Sequence, residues 1–133
     1  ITGEPVDFFI WNEKEEQGVK LLETIKDLKK KGFKSSSIMV LSPKRRDRSI
    51  VGQCDEDEFL IGNYGEDGSA YLAMFSTVHA FKGLESEIVI LTDIEDYSDP
   101  QLMYIALSRA RSKLIVLEST GASKQRKKLT VAR

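Results

Sequence analysis

The sequence predicts an α/β fold built on a mainly parallel sheet, layered between helices, and three observations carry that expectation. Four short runs are continuously apolar rather than alternating: Phe8–Ile10, Ile38–Leu41, Ile88–Leu91 and Leu114–Leu117. Uninterrupted apolar runs of this length suit strands covered on both faces, as in a parallel sheet. A helical pattern separates the first two runs, so residues 7 to 41 form a strand–helix–strand crossover unit. A second helical pattern feeds directly into the last run.

The first helix has Asn12 in position to cap it and Glu15 where a capping-box acid belongs. Val19, Leu22, Ile25 and Leu28 then recur at helical spacing, with Leu21 beside them. Lys29, Lys30 and Lys31 suit the negative end of the helix dipole, and Gly32 stops the helix. The second helix opens at Asp99-Pro100, a cap followed by proline at the first helical position, and is expected to run to about Ser112. Between them, residues 52 to 70 hold Gly52, Gly62, Gly65, Gly68 and the acidic run Asp55–Glu58, a loop and hairpin pattern. Phe59–Ile61 and Tyr71–Phe75 are the strand candidates there. The last dozen residues include Lys124, Arg126, Lys127 and Lys128 and suggest a frayed basic tail or linker. The expected organisation is one domain over 1–120 followed by a tail over 121–133.

The chain has 133 residues, 41% hydrophobic and 31% charged, which allows one domain with a substantial core. No apolar run approaches the roughly 20 residues of a membrane helix, so no membrane partner is expected. Cys54 is the only cysteine, which excludes an intrachain disulfide and suggests a reducing, cytoplasmic setting. One Cys and one His cannot build a structural zinc site, so no metal ligands are assigned. A net charge of −1 argues against a freestanding basic nucleic-acid binder but allows one wall of a shared groove. The first residue is Ile1 rather than Met, which gives the expectation of a piece excised from a longer protein.

Two segments concentrate chemistry. The first, Thr77-Val78-His79-Ala80-Phe81-Lys82-Gly83-Leu84-Glu85, gathers a hydroxyl, the only imidazole, an amine, a glycine and a carboxylate between two apolar strands. Loops at strand ends form the ligand crevice of α/β sheets, and glycine lets backbone approach a phosphate or sugar. The second, Tyr104-Ile105-Ala106-Leu107-Ser108-Arg109-Ala110-Arg111, lies on the second helix. There Met103, Ala106, Leu107 and Ala110 make an apolar stripe. Arg109 projects beside Leu102 at its edge, and Arg111 falls with Tyr104 and Ser108 on the polar side. An arginine at the border of a buried face is aimed by its neighbours, as a guanidinium that bonds phosphate in pairs must be.

These segments resemble motifs V and VI of superfamily 1 helicases of the UvrD, Rep and PcrA group. Their order and their spacing across a buried strand fit, as do the Gly3-Glu4-Pro5-Val6 entry and the strand leading into Ser42-Pro43-Lys44-Arg45-Arg46. The resemblance implies a RecA-like domain, the second of two that face each other across bound ATP. It implies that Arg109 is the arginine finger, that Glu85 bonds the ribose, and that Gly83 and Tyr104 lie at the nucleotide. It further implies that Thr77 and His79 contact the backbone of single-stranded DNA and that Lys82, in a coupling role, holds the motif loop in shape near the same cleft. Lys82-Gly83 favours DNA over RNA, because RNA-directed relatives usually show Gln-Gly there.

The phosphate-binding loop is missing: no Gly-Lys pair occurs in the chain. The acids that hold magnesium in the first domain also have no counterpart, and the motif IV arginine falls before Ile1. ATP with Mg²⁺ is therefore expected only in the two-domain parent, with the N-terminal RecA-like domain as partner and this piece inactive alone. Motif VI often has Thr where this chain has Ser108, which keeps the hydroxyl. Residues 42 to 76 are too short for the large insertions many of these helicases carry.

Ordinary structural roles compete with each of these assignments. His79 could be a plain loop residue, and Arg109 could pair with Glu85 or Asp93. Arg45, Arg46 and Arg48 suit a solvated turn at least as well as a phosphate site. Asp55–Glu58 lacks the spaced ligands of a calcium loop. Trp11 suits core or edge packing, and Cys54 an inert thiol. A degenerate RecA-like module kept for protein interaction and an RNA-directed helicase domain are the alternative functions. A generic phosphate binder is disfavoured by Asn12-Glu13-Lys14-Glu15-Glu16, an acidic helix start.

Overall fold

The structure, a computed structural model, describes residues 6–53 and 60–131. Gly3–Pro5, Cys54, the acidic run Asp55–Glu58 and Phe59 lie outside the described residues. Six strands form one sheet: β1 (Asp7–Trp11), β2 (Ile38–Ser42), β3 (Ile61–Asn63), β4 (Ala73–Thr77), β5 (Ser86–Ile94) and β6 (Ala110–Ser119). Their order is β1-β6-β5-β2-β4-β3, and every pairing is parallel. The helices are α1 (Lys14–Lys30), a short α2 (Ile50–Gln53), α3 (Pro100–Arg109) and α4 (Thr120–Val131).

Alternation within the apolar runs explains the layers. Ile38, Val40, Ile88, Ile90, Ile115 and Leu117 face one way and pack with Leu21, Ile25 and Leu28 of α1 and with Ile50 and Val51 of α2. Met39, Leu41, Val89, Leu91, Leu114 and Val116 face the other way and pack with Leu102 and Ala106 of α3 and Ala122 of α4. A strand that feeds two cores has no polar face to show, which is why β2, β5 and β6 read as continuous apolar runs. The run Phe8–Ile10 departs from that expectation. It lies in β1, an edge strand paired only with β6, and Ile10 is 53% exposed.

Helix α1 starts one residue later than its sequence suggests. Glu13, not Asn12, is the cap residue, and its N–H donates to the carboxylate of Glu16 at 3.0 Å, so Glu16 rather than Glu15 fills the capping-box position. The buried stripe is Gln17, Leu21, Ile25 and Leu28, and Val19 is 59% exposed. The helix ends as expected. Gly32 takes φ +97°, its N–H donates to the Lys29 carbonyl, and the Phe33 N–H donates to the Leu28 carbonyl. That pair of bonds is a Schellman closure, with Phe33 folded onto the same core as Leu28.

The expected hairpin does not form. β3 and β4 run parallel, with Ile61 opposite Ala73 and Asn63 opposite Phe75. The Tyr71 ring lies over Gly62 so closely that a Cβ there would sit 2.4 Å from it, so a side chain at residue 62 would have to displace that ring. The second helix also stops earlier than expected, at Arg109, because Ala110 pairs with Ser86 and begins β6. Arg111 is therefore an exposed strand residue and not part of the helix face that carries Tyr104 and Ser108.

Asp93 ties the C-terminal ends of these elements together. It is buried, with φ +63°, where the β5–β6 register shifts. Its Oδ2 accepts from Ser42 Oγ at 2.7 Å and Ser49 Oγ at 2.6 Å, and its Oδ1 accepts from the Ile50 N–H at 3.0 Å. Gln17 closes the arrangement by accepting the Asp93 N–H at 2.7 Å. Left-handed backbone costs a non-glycine residue about 1–3 kcal/mol, and Asp tolerates it better than most. Bonds to a buried carboxylate, each contributing roughly 1.5–3 kcal/mol, outweigh that strain.

The basic stretch expected to be a frayed tail is helical and docked. Glu118, fully buried at the end of β6, accepts a forked pair of bonds from Arg126 of α4 and another from the Tyr97 hydroxyl. The Arg126 guanidinium also stacks 3.6 Å from the centre of the Phe8 ring. The bond to Glu118 raises the Arg126 pKa, and burial, then Glu118, pushes the Tyr97 phenol far above its ordinary 10.0.

Two outcomes follow from these networks. Asp93→Ala leaves Ser49 and the Ile50 N–H without their buried acceptor. It is expected to lower unfolding stability by about 3 kcal/mol in urea titration, with Asp93→Asn milder. An unchanged midpoint in the alanine variant contradicts this role. For Tyr97, a folded pKa above the unfolded one stabilises the protein while the phenol keeps its proton. That contribution is complete below about pH 10 and is lost as pH rises further. Tyr97→Phe should therefore flatten the alkaline loss of stability measured by denaturant titration.

Candidate functional site

The segment after β4 closes on itself. Thr77 Oγ1 accepts the Ala80 N–H at 3.1 Å, and the Thr77 carbonyl accepts the Phe81 N–H at 3.1 Å. The Lys82 N–H bonds the His79 carbonyl, and the Leu84 N–H bonds the Phe81 carbonyl. Val78 and Phe81 are buried anchors, and the Val78 N–H reaches the Ser42 carbonyl at the end of β2. His79, Lys82 and Glu85 remain exposed between those anchors. Gly83 takes φ +81° with open space where a Cβ would lie, so its glycine is required by backbone conformation rather than by crowding.

Because the strands are parallel, this segment joins two opposite edges of the sheet. Thr77 closes β4 at the C-terminal edge, whereas Glu85 immediately precedes β5 at the N-terminal edge. Leu41 pairs with both Ser76 and Leu91, so Thr77 stands level with Thr92. At about 3.3 Å per residue, that level is roughly 20 Å along the strands from Ser86. Thr77 and His79 therefore belong to one edge and Glu85 to the other, with Lys82 and Gly83 between them.

Arg109 arrives at the Glu85 edge. Asp99 caps α3 by accepting the Gln101 N–H at 2.9 Å, and Pro100 occupies the first turn, as the sequence indicates. Leu102 and Ala106 form the buried line of the helix, flanked by the partly buried Met103, Ile105 and Leu107. Tyr104 is 73% exposed, and the Ser108 hydroxyl donates to the Ile105 carbonyl. Ser86 and Ala110 are register partners on neighbouring strands, so Glu85 and Arg109 each stand one residue before the same rung. The Arg109 Nε is buried without a hydrogen-bond partner among the described residues. An orphaned buried donor costs about 1–3 kcal/mol, and Trp11 Nε1 is orphaned in the same way. The structural alternative, an ion pair with Glu85 or Asp93, is not among the ion pairs of the described residues, and the Asp93 carboxylate is engaged by Ser42, Ser49 and Ile50.

At the opposite edge, His79 borders a cleft of about 240 Å³. Its floor is apolar, from Val78, Ile94, Leu102 and Ile105, and its rim carries Glu95, Asp96 and Asp99 with Lys44. Lys44 is paired with Glu95. The backbone N–H of Ser98 holds the Asp96 carboxyl below the usual carboxylate range. A larger groove of about 560 Å³ runs between α1 and strands β1 and β6, and it contains none of the sequence-predicted site residues. Asp93, considered from sequence only as a partner for Arg109, proves to organise the cleft wall. Its signal was a carboxylate set inside the apolar run of β5.

Residues 72–117 match the sequence profile of the UvrD-like helicase C-terminal domain. Comparison with curated protein sequences gives no match. Among solved structures, the fold is similar to the C-terminal domain of a possible DNA helicase from Lactobacillus plantarum WCFS1. The TM-score is 0.70 at 11% identity, covering 88% of this chain and 75% of that one. At that identity the likeness is one of fold. The matched stretch runs from the start of β4 through β5 and α3 into β6 and includes Thr77, His79, Glu85 and Arg109. The similarity to the UvrD-like helicase C-terminal domain is confined to residues 72–117.

Proposed function

We propose that this chain is the second motor domain of an ATP-dependent DNA helicase or translocase. The observation that carries the proposal is that Glu85 and Arg109 each stand one residue before the Ser86–Ala110 rung, with the Arg109 Nε buried and without a hydrogen-bond partner among the described residues. A carboxylate suited to ribose hydroxyls and a guanidinium suited to phosphate then belong to the same edge of the sheet. Gly83 gives backbone access nearby, and the exposed Tyr104 presents an aromatic ring on α3.

The sequence contains no Gly-Lys pair for a phosphate loop, and in this reading that loop and the Mg²⁺ ligands belong to an N-terminal RecA-like domain as partner. Held there, ATP with Mg²⁺ supplies a phosphoryl group poised for transfer to water. The contribution of this chain is electrostatic: Arg109 offers positive charge to the phosphoryl oxygens, and Glu85 fixes the ribose. Thr77 and His79 contact single-stranded DNA at the far edge, and the turn through Lys82 and Gly83 links the two sites.

The test uses the chain joined to its N-terminal partner, with ATP turnover measured with and without single-stranded DNA. Arg109→Ala should cut stimulated turnover by about 10³-fold or more, and His79→Ala should weaken DNA stimulation more than basal turnover. The 133-residue chain alone should show no turnover. Near-normal activity in Arg109→Ala, or hydrolysis by the isolated chain, contradicts the assignment.

A further inference from the structure

Tyr64 follows β3 at the same sheet edge as Thr77 and His79, and it is 52% exposed. A lone exposed aromatic is unremarkable by itself, but this one is held in place. Its ring packs edge to face on Phe81, with centroids 5.3 Å apart and planes at 86°. Phe81 belongs to the turn that carries Thr77 and His79. The Tyr64 N–H donates to the Phe75 carbonyl at 2.8 Å, and the Glu66 carboxylate accepts both the Asn63 N–H at 2.7 Å and the Tyr71 hydroxyl at 3.1 Å. Arg46 holds the end of β3 through the Asn63 side chain at 2.9 Å and the Ile61 carbonyl. An aromatic already fixed in this way loses little freedom when something stacks on it.

Charge along the edge selects the side that a polyanion would follow. Beyond β5 the edge carries Glu95, Asp96 and Asp99, which repel phosphate. Beyond β2 the stretch 44–48 adds Arg45, Arg46 and Arg48 against the single acid Asp47, while Lys44 is neutralised by Glu95. A single strand that meets Thr77 and His79 at the border of that acidic cleft would be favoured to continue over β2, β4 and β3, where Tyr64 stands.

We infer that Tyr64 is a stacking platform for a nucleobase of the single strand that Thr77 and His79 contact. The inference rests on the DNA-binding reading above and adds to it a contact with a base rather than with the sugar–phosphate chain. Stacking on an aromatic tolerates any base, because each presents a π-face. That suits a motor that must step along any sequence.

The experiment measures equilibrium binding of the two-domain protein to a fluorescently labelled oligothymidine at fixed salt. The same strand carrying one abasic site, moved position by position, is the comparison. The wild type should lose about tenfold in affinity when the abasic site falls at one position. Tyr64→Ala should bind the intact strand about tenfold more weakly and show no further loss at that position. Tyr64→Phe should keep the affinity and Tyr64→Leu should not. A merely structural role in bracing the turn would leave the abasic penalty intact in Tyr64→Ala, and that result overturns the inference. So does equal behaviour of Tyr64→Phe and Tyr64→Leu. A wild type that binds no single strand overturns the DNA reading itself, and this one with it.

Discussion

The carboxylate of Asp93 is the constraint on which the C-terminal edge of the sheet depends. It sits at the end of the central strand β5 in left-handed backbone, buried, and collects donors from the end of β2 and the start of α2. Gln17 of α1 holds its backbone N–H. Loops that leave parallel strands have no hairpin partner to brace them, so their placement depends on such shared acceptors. With Ser42 fixed by Asp93, its carbonyl is in place to receive the Val78 N–H. That bond fixes where the chain departs from β4 and hence where Thr77 and His79 stand. The low-dielectric interior strengthens each bond, and the same interior makes the loss of the acceptor costly.

The parallel topology gives the rest of the arrangement its logic. One continuous segment leaves β4 at one edge and enters β5 at the other. Its exposed groups are divided between the edges, while Val78 and Phe81 lock it to the core below. A displacement at either end must be carried through a closed turn packed on the α3 side of the sheet, and α3 is the helix that delivers Arg109. In the proposed function this is the physical route by which a nucleotide at Glu85 and Arg109 is felt by a strand at Thr77 and His79.

Much of this was legible in the sequence, for identifiable reasons. The strands β2, β5 and β6 showed because burial on both faces leaves no polar positions to blur them. The cap at Asp99-Pro100 and the stop at Gly32 are local backbone chemistry and were correctly placed. The misses share a cause, which is tertiary pairing overriding local pattern. The face of α1 turned because Gln17, a polar residue, is buried to serve Asp93, while the apolar Val19 is left in solvent. The glycines of residues 62–68 signalled turns but not strand direction, and β3 pairs with β4 in parallel. The sequence Ala110-Arg111-Ser112 is compatible with helix, and pairing with Ser86 claimed it for β6. Docking of α4 depends on Glu118 and Arg126 finding each other, which no periodicity reports. At the candidate site, the two motif segments were evident from residue types, but their division between opposite edges required the register.

The central claim is that Arg109 and Glu85 face a nucleotide gripped by another domain. The most direct measurement is a structure of the two-domain protein bound to Mg²⁺ and a non-hydrolysable ATP analogue. The account predicts the Arg109 guanidinium at hydrogen-bonding distance, about 2.7–2.9 Å, from terminal phosphate oxygens, with the Glu85 carboxylate on the ribose hydroxyls. A nucleotide bound with both side chains turned away from it, or paired to each other across the Ser86–Ala110 rung, would contradict it.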